Sequence, residues 1–305
     1  MNNLFIDNEF SQLKQVVLGL AYEFGGCPNV LDAYDPKSKQ HINNKTFPLE
    51  GNVINELNEV VNIFRKYHVD ILRPINIPNC NQIFTRDLGF VIGHFFFVSN
   101  MIADRKDELK GLTKILNSLV PNSIVNLPDD IHVEGGDIIV CNKYVFIGYS
   151  NNDTLSKYQV SRTSHNVLSY LSNLISNKQI IGFELIKSDD DPYNNCLHLD
   201  CCFQPLGLGH VILCPEAFKN FNDVELIQGI FGEDYIINIS RIEMYDMFSN
   251  IFSISNNVII SEKKFTRLNN ILTKKGYTVE EVNFSEISKM GGLLRCSTLP
   301  LSRTL

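Results

Sequence analysis

Seven side chains, far apart along the chain, have types and settings suited to chemistry on an electrophilic carbon. Cys296 follows Met290-Gly-Gly-Leu-Leu-Arg295, where glycines allow close backbone approach and Arg295 sets a positive charge beside the sulfur. A neighbouring cation favours the thiolate, the form that attacks carbon. His198 lies in Cys196-Leu-His-Leu-Asp200, where strand alternation puts His198 and Asp200 on one face. The imidazole can move protons while the carboxylate binds a cation. Glu134-Gly-Gly-Asp137 brackets two glycines with carboxylates at the entrance to the apolar Ile138-Ile-Val140. Asp87 closes Phe84-Thr-Arg-Asp87 and leads into a nearly continuous apolar run from Phe90 to Val98. A carboxylate at a buried strand end costs several kcal/mol of desolvation unless it meets a cation, which a cationic ligand would provide. Arg105 and Arg162, placed after the strand pairs, suit bidentate capture of a carboxylate. Taken singly, each has a plainer reading: a structural thiol, a satisfied core histidine, a turn, a solvated arginine.

The elements around them repeat. Five times a segment with helical spacing of apolar residues alternates with a strand pair, and Asp87, Glu134 and His198 head three of the pairs, with Cys296 heading another. A recurring unit of roughly 50 residues is the signature of a closed repeat architecture such as a propeller, in which equivalent positions converge on the axis. The helical segments are marked by Ile54, Leu57, Val61 and Phe64, by Leu109 to Leu119, by Val167 to Ile175, by Phe218 to Phe231, and by Phe265 to Leu272, with Gly276 as a C-cap. Each leads to a short strand, so the order is strand, strand, helix, strand. The strand Leu13–Gly19 has no helix before it and is expected to pair with the C-terminal strand and close the ring. Residues 22–50 have no clear period and are expected to form a flap over the pocket.

Bulk properties narrow the function. The 305 residues, 44% hydrophobic and 20% charged, suit a globular chain with a large core, and one catalytic domain over residues 1–305 is expected. A net charge of −7 lacks the basic patch of a phosphate-backbone binder, so no nucleic-acid partner is expected. The start of the chain lacks a signal-peptide pattern and no segment has the length of a membrane span, so a cytoplasmic protein with no membrane partner is expected. The eight cysteines are read as reduced thiols. Cys196, His198, Cys201, Cys202 and Cys214 match no paired Cys-x-x-Cys spacing, so neither metal nor cofactor is expected.

In order along the chain, Phe84-Thr-Arg-Asp87, Glu134-Gly-Gly-Asp137, His198-Leu-Asp200 and Gly292-Leu-Leu-Arg-Cys296 resemble the motifs of the guanidino-group modifying superfamily. Its members include arginine deiminase, dimethylarginine dimethylaminohydrolase and glycine amidinotransferase. The resemblance implies a five-bladed α/β propeller of ββαβ modules, with Cys296 as nucleophile, His198 as acid and base, and Glu134 orienting the imidazole. It further implies that Asp87 and Asp200 hold a guanidinium, while Arg105 and Arg162 hold the substrate carboxylate. Deiminases often carry an arginine where this chain has Gly291, so the guanidino substrate stays open. Glycines, rather than the alanines of the transferase acidic motif, favour hydrolysis. Amidino transfer to an amine and non-catalytic arginine binding are the alternatives.

Overall fold

The computed structural model describes residues 4–304. The expected domain also takes in Met1, Asn2, Asn3 and Leu305, which lie outside the described residues. Among the described residues fifteen strands form five three-stranded sheets. They are β1 (Leu13–Leu18), β2 (Asp70–Leu72), β3 (Gly89–Ile92), β4 (Phe95–Val98), β5 (Ile124–Asn126), β6 (Ile138–Cys141), β7 (Tyr144–Tyr149) and β8 (Gln179–Glu184). The rest are β9 (Phe203–Pro205), β10 (Val211–Leu213), β11 (Ile236–Asn238), β12 (Phe252–Ser255), β13 (Val258–Glu262), β14 (Thr278–Val282) and β15 (Thr298–Arg303).

Every sheet has one plan. A central strand pairs antiparallel with the strand before it and parallel with the strand after it, as in β3-β4-β5 and β6-β7-β8. The antiparallel pair needs only a tight turn, such as Asn142-Lys143, where Asn142 adopts φ 52°. The parallel pair needs a crossover, which a helix supplies. The fifth sheet is assembled from both ends of the chain: β15 pairs antiparallel with β1, Val17 opposite Leu299, and β2 completes it in parallel. The expected ring closure is therefore present, and the architecture is the five-module α/β propeller.

The crossover helices bury one stripe each, as the spacing predicts. In Glu50–Lys66 the buried stripe is Val53, Leu57, Val60 and Phe64, so Leu57 and Phe64 are buried as expected while Ile54 and Val61 are only half-buried at its edge. The second crossover departs from the expectation: Ala103–Leu112 is a 3-10 helix and only Thr113–Leu116 is α-helical. In a 3-10 helix residues i and i+3 eclipse, and here that stacks buried Arg105 on buried Glu108. Residues 22–50 are also more ordered than their lack of period suggests, with a short 3-10 turn at Val30–Asp32 and a helix at Pro36–Asn43. No helix among the described residues is long and apolar enough to cross a membrane.

What positions the chemistry is a turn at the head of each inner strand. Thr85–Leu88, Gly135–Asp137 and Leu199–Cys201 are single 3-10 turns, and irregular turns precede β12 and β15. The strand alternation expected for His198 and Asp200 is thereby corrected: His198 caps the turn and Asp200 lies within it, so they face different partners. The turns meet closely at the axis. A side chain at Gly135 would place Cβ 2.2 Å from the carbonyl oxygen of Arg86, and one at Gly136 would place it 2.6 Å from His198 Nδ1. The glycine pair is thus a packing requirement of the convergence.

Candidate active site

All five blades contribute. Asp87, Glu134, His198 with Asp200, Asn250, and Arg295 with Cys296 come from the five pre-strand turns. Asp87, Glu134, His198, Asp200 and Cys296 are each no more than 3% exposed, so their charges must be answered inside the protein.

Around the imidazole the carboxylates win. His198 Nε2 is 3.1 Å from Glu134 Oε2, and Nδ1 is 3.6 Å from Asp87 Oδ1. Burial works against a charged imidazole, but Asp87, Asp137 and Glu134 outweigh it and lift His198 to about 9. At neutral pH it is an imidazolium, able to donate from both nitrogens. Burial also opposes ionised Glu134, yet Arg162, Arg105 and His198 hold its carboxyl well below the usual range.

The two arginines face the cavity but are heavily engaged. Arg105 donates to both oxygens of Glu108 at 2.8 Å, to Asp87 Oδ2 at 2.7 Å and to Glu134 Oε2 at 3.3 Å. Arg162 donates through Nη1 to both Glu134 oxygens at 3.2 Å, through Nε to the Gln159 carbonyl and through Nη2 to the Tyr34 carbonyl. A guanidinium has five N–H groups, so each arginine retains one free Nη2–H.

Around the sulfur the balance differs. Asn250 clamps Cys296 from both sides: Nδ2 donates to Sγ at 3.1 Å, and Oδ1 accepts the Cys296 backbone N–H at 3.0 Å. Asp200 Oδ2 lies 3.8 Å from Sγ. Burial, then the charges of Asp200 and Asp87, hold the thiol well above its usual range. The expectation that Arg295 activates the sulfur is overturned. Its guanidinium turns away to Asp200 at 2.8 Å and to Glu9 at 3.0 Å. Arg86 supports the segment from behind, its backbone N–H donating to the Cys296 carbonyl at 3.0 Å. All eight cysteines are free thiols.

A cavity of about 440 Å³ opens over these groups, lined by Asp87, Arg105, Arg162, His198 and Cys296 and by residues of the 22–50 segment, among them Tyr34 and Asp35. Glu134 and Asp200 stand just behind the lining, in contact with His198 and Cys296. The seven residues expected from the sequence thus form two groups at one cavity, Asp87, Arg105, Glu134, Arg162 and His198 in one and Asp200 with Cys296 in the other. Asp87 Oδ1 and His198 Nδ1 are buried there without a hydrogen-bond partner, a pairing that asks for a ligand. Ligand atoms of Asp87, Glu134 and His198 approach one another within metal-binding reach. Arg105 already meets two of these carboxylates and the imidazole is protonated, so the donor set suits an organic cation better than a metal.

Sequence reasoning missed Asn250, Glu108, Glu9 and Asp35. Asn250 had a usable signal, since it sits at the head of an inner strand in the one repeat that offered no candidate. Glu9 and Asp35 had none.

Comparisons with known proteins agree with this geometry. Residues 29–303 match the family model of eukaryotic N,N dimethylarginine dimethylhydrolase. YkgA, an uncharacterised protein of Bacillus subtilis (strain 168), is 27% identical over 245 residues, covering 80% of this chain and 78% of its own. The bifunctional arginine dihydrolase/ornithine cyclodeaminase ArgZ of Synechocystis is 24% identical over 270 residues, 84% of this chain but 35% of ArgZ, so the match spans about a third of that protein. Among solved structures, the product-bound N-terminal domain of ArgZ superposes with a TM-score of 0.78 at 18% identity, covering 96% of this chain and 98% of that one. SxtG, an amidinotransferase from Microseira wollei, gives 0.77 at 17% identity, covering 99% and 98%. With five turns converging on one cysteine, one histidine and their carboxylates, the chain belongs to the N,N dimethylarginine dimethylhydrolase family, within the guanidino-modifying (pentein) superfamily.

Proposed function

We propose that the protein is a cysteine-dependent hydrolase of the guanidino group of arginine or an arginine derivative. The observation that carries this reading is one cavity lined by Asp87, His198 and Cys296, with Asp200 3.8 Å behind the sulfur and Asn250 donating to it at 3.1 Å. A planar guanidinium donates to Asp87 Oδ1 and to Asp200, which fixes its central carbon beside Sγ. Its charge offsets the two carboxylates that hold the thiol protonated, so ligand binding itself releases the thiol proton to solvent. The thiolate forms a C–S bond, and His198 gives its proton to the departing amine as the C–N bond breaks. This leaves a covalent thiouronium intermediate and a neutral imidazole. Water then loses a proton to His198 and attacks the same carbon; as the C–S bond breaks, the proton of the added hydroxyl passes to the departing sulfur, which restores the thiol and releases a neutral ureido product. Glu134 remains ionised and keeps the imidazole aligned. Residues of the 22–50 segment complete the cavity wall, and Arg105 and Arg162 each have one N–H for a substrate carboxylate. The small-molecule guanidino compound is the partner this site is built for.

Amidino transfer shares the first half-reaction, with an amine in place of water. Incubation with arginine, methylated arginines and agmatine, with and without an amine acceptor, separates the outcomes. A ureido product is expected. A new guanidino compound formed only with the acceptor would replace hydrolysis by transfer, and binding without turnover would favour an arginine-binding protein. Cys296→Ala is expected to abolish turnover and spare binding; retained activity would remove Cys296 from the mechanism.

A further inference from the structure

Asp35 is a buried carboxylate in the cavity wall that the reaction above does not use. It caps the helix Pro36–Asn43, with Oδ1 accepting the Ser38 backbone N–H at 2.8 Å. The Ser38 hydroxyl acts on the carboxylate too, but both contacts are neutral, and Ser, Thr or Asn would serve the cap as well. Capping does not explain a charge. Among the described residues no cation pairs with Asp35, and the two that act on it are committed elsewhere. Arg162 is held by Glu134, Gln159 and Tyr34, and Lys37 donates to the Tyr245 carbonyl at 2.6 Å and to Ser288 Oγ at 3.1 Å. Burial pushes the Asp35 carboxyl up, as expected of an anion lacking its counter-charge.

The facing wall is built to leave this carboxylate open. Gly291 adopts φ +80°, and a Cβ there would stand 2.8 Å from Asp35 Oδ1 and 3.3 Å from Oδ2. Any side chain at 291 would cover the carboxylate, whereas glycine lets it face the cavity. The segment bearing Asp35 is also fixed in place, because Arg162 holds the Tyr34 carbonyl at 3.1 Å and Lys37 anchors the following turn to the body.

We propose that Asp35 receives a primary ammonium group at the end of the substrate remote from its guanidino carbon. Together with the free N–H groups of Arg105 and Arg162, it reads the zwitterionic head of a guanidino α-amino acid. Carboxylate and ammonium are then each matched by an opposite charge, which discriminates against guanidino acids and alkylguanidines lacking either group. The assignment rests on the guanidino reading above, and Asp35 acts as a specificity residue.

The test is calorimetric binding of arginine and of δ-guanidinovalerate, which is arginine without its α-amino group, to Cys296→Ala and to Cys296→Ala/Asp35→Asn. Asparagine keeps the cap and the volume and removes the charge. Arginine affinity is expected to fall about tenfold to a hundredfold in the double variant, the scale of a lost charge-assisted contact, while δ-guanidinovalerate binds the two proteins alike. Unchanged arginine affinity, or an equal loss for both ligands, overturns the Asp35 assignment alone. If neither ligand binds Cys296→Ala, the guanidino reading falls and this proposal with it.

Discussion

Asp200→Asn separates two roles that one carboxylate combines. Asp200 Oδ2 lies 3.8 Å from Cys296 Sγ, and Asp200 and Cys296 are both almost fully buried. Removing a unit charge at that distance, at an effective dielectric constant of about 20, is worth about 4 kcal/mol, or roughly 3 pKa units. Asparagine preserves the shape, and Arg295, freed from one carboxylate, shifts the thiol in the same direction. The thiol should therefore titrate about 3 units lower than in the wild type. The assay is ultraviolet thiolate absorbance against pH, taken as the difference between Asp200→Asn and Asp200→Asn/Cys296→Ala so that the other cysteines cancel. The easier thiolate should accompany a poorer enzyme, with kcat/KM for a guanidino substrate down at least about a hundredfold, because the substrate cation loses its partner. A midpoint that stays put, or activity that survives, would refute the reasoning that Asp200 holds the sulfur protonated until a cation arrives.

Three further outcomes can be checked. Gly136→Ala forces a Cβ to within 2.6 Å of His198 Nδ1 and 2.9 Å of Asp87 Oδ1; it should cost about 1–3 kcal/mol in denaturant melts and most of kcat. Gly229→Ala, in the helix Phe221–Phe231 with open space at its Cβ, is the control and should stabilise by about 0.5–1 kcal/mol. Asn250→Ala leaves the Cys296 backbone N–H unpaired and the sulfur unsteered, so stability should fall by about 1–3 kcal/mol and kcat by about tenfold to a hundredfold; a change in KM alone would contradict the clamp. Finally, His198 rises from 6.5 to about 9 on folding, so the native state holds the extra proton between those values and loses stability as pH climbs, by at most about 3 kcal/mol. Buried Lys37, lowered from 10.5 to about 8 by desolvation, works the opposite way above pH 8. The decline should therefore be clearest between pH 6.5 and 8, and its absence from thermal melts in that window, with wild type compared against His198→Gln, would rule out the buried imidazolium.

The frame was legible wherever local pattern and tertiary packing agree. Apolar runs bounded by turn residues marked β3–β4 and β6–β7, and a first strand with no preceding helix implied its partner at the other end. Asp87 and Glu134 stood out because they head strands that are otherwise wholly apolar, and His198 because it precedes a third strand pair. What failed to show has a common cause, namely that it depends on directions within turns. Arg295 is next to Cys296 in sequence, but successive residues in a turn diverge, so its charge serves Asp200 and Glu9. The expected second α-helix is mostly a 3-10 helix, in which Arg105 and Glu108 stack. Asn250 reads locally as an ordinary turn, and only its place in the repeat marks it, whereas nothing local distinguishes Asp35 from any other helix cap.

Cys296, the proposed nucleophile, sits two residues before β15, the strand that joins the two ends of the circle. Fastening and arming the molecule are consequently one event. A conformer with every other sheet formed and this clasp undone would be silent, its sulfur adrift from Asn250 and Asp200. Recovery of turnover after dilution from denaturant would then time the last join in the ring, and a thiol-reactive probe at Cys296 would report how often the clasp slips.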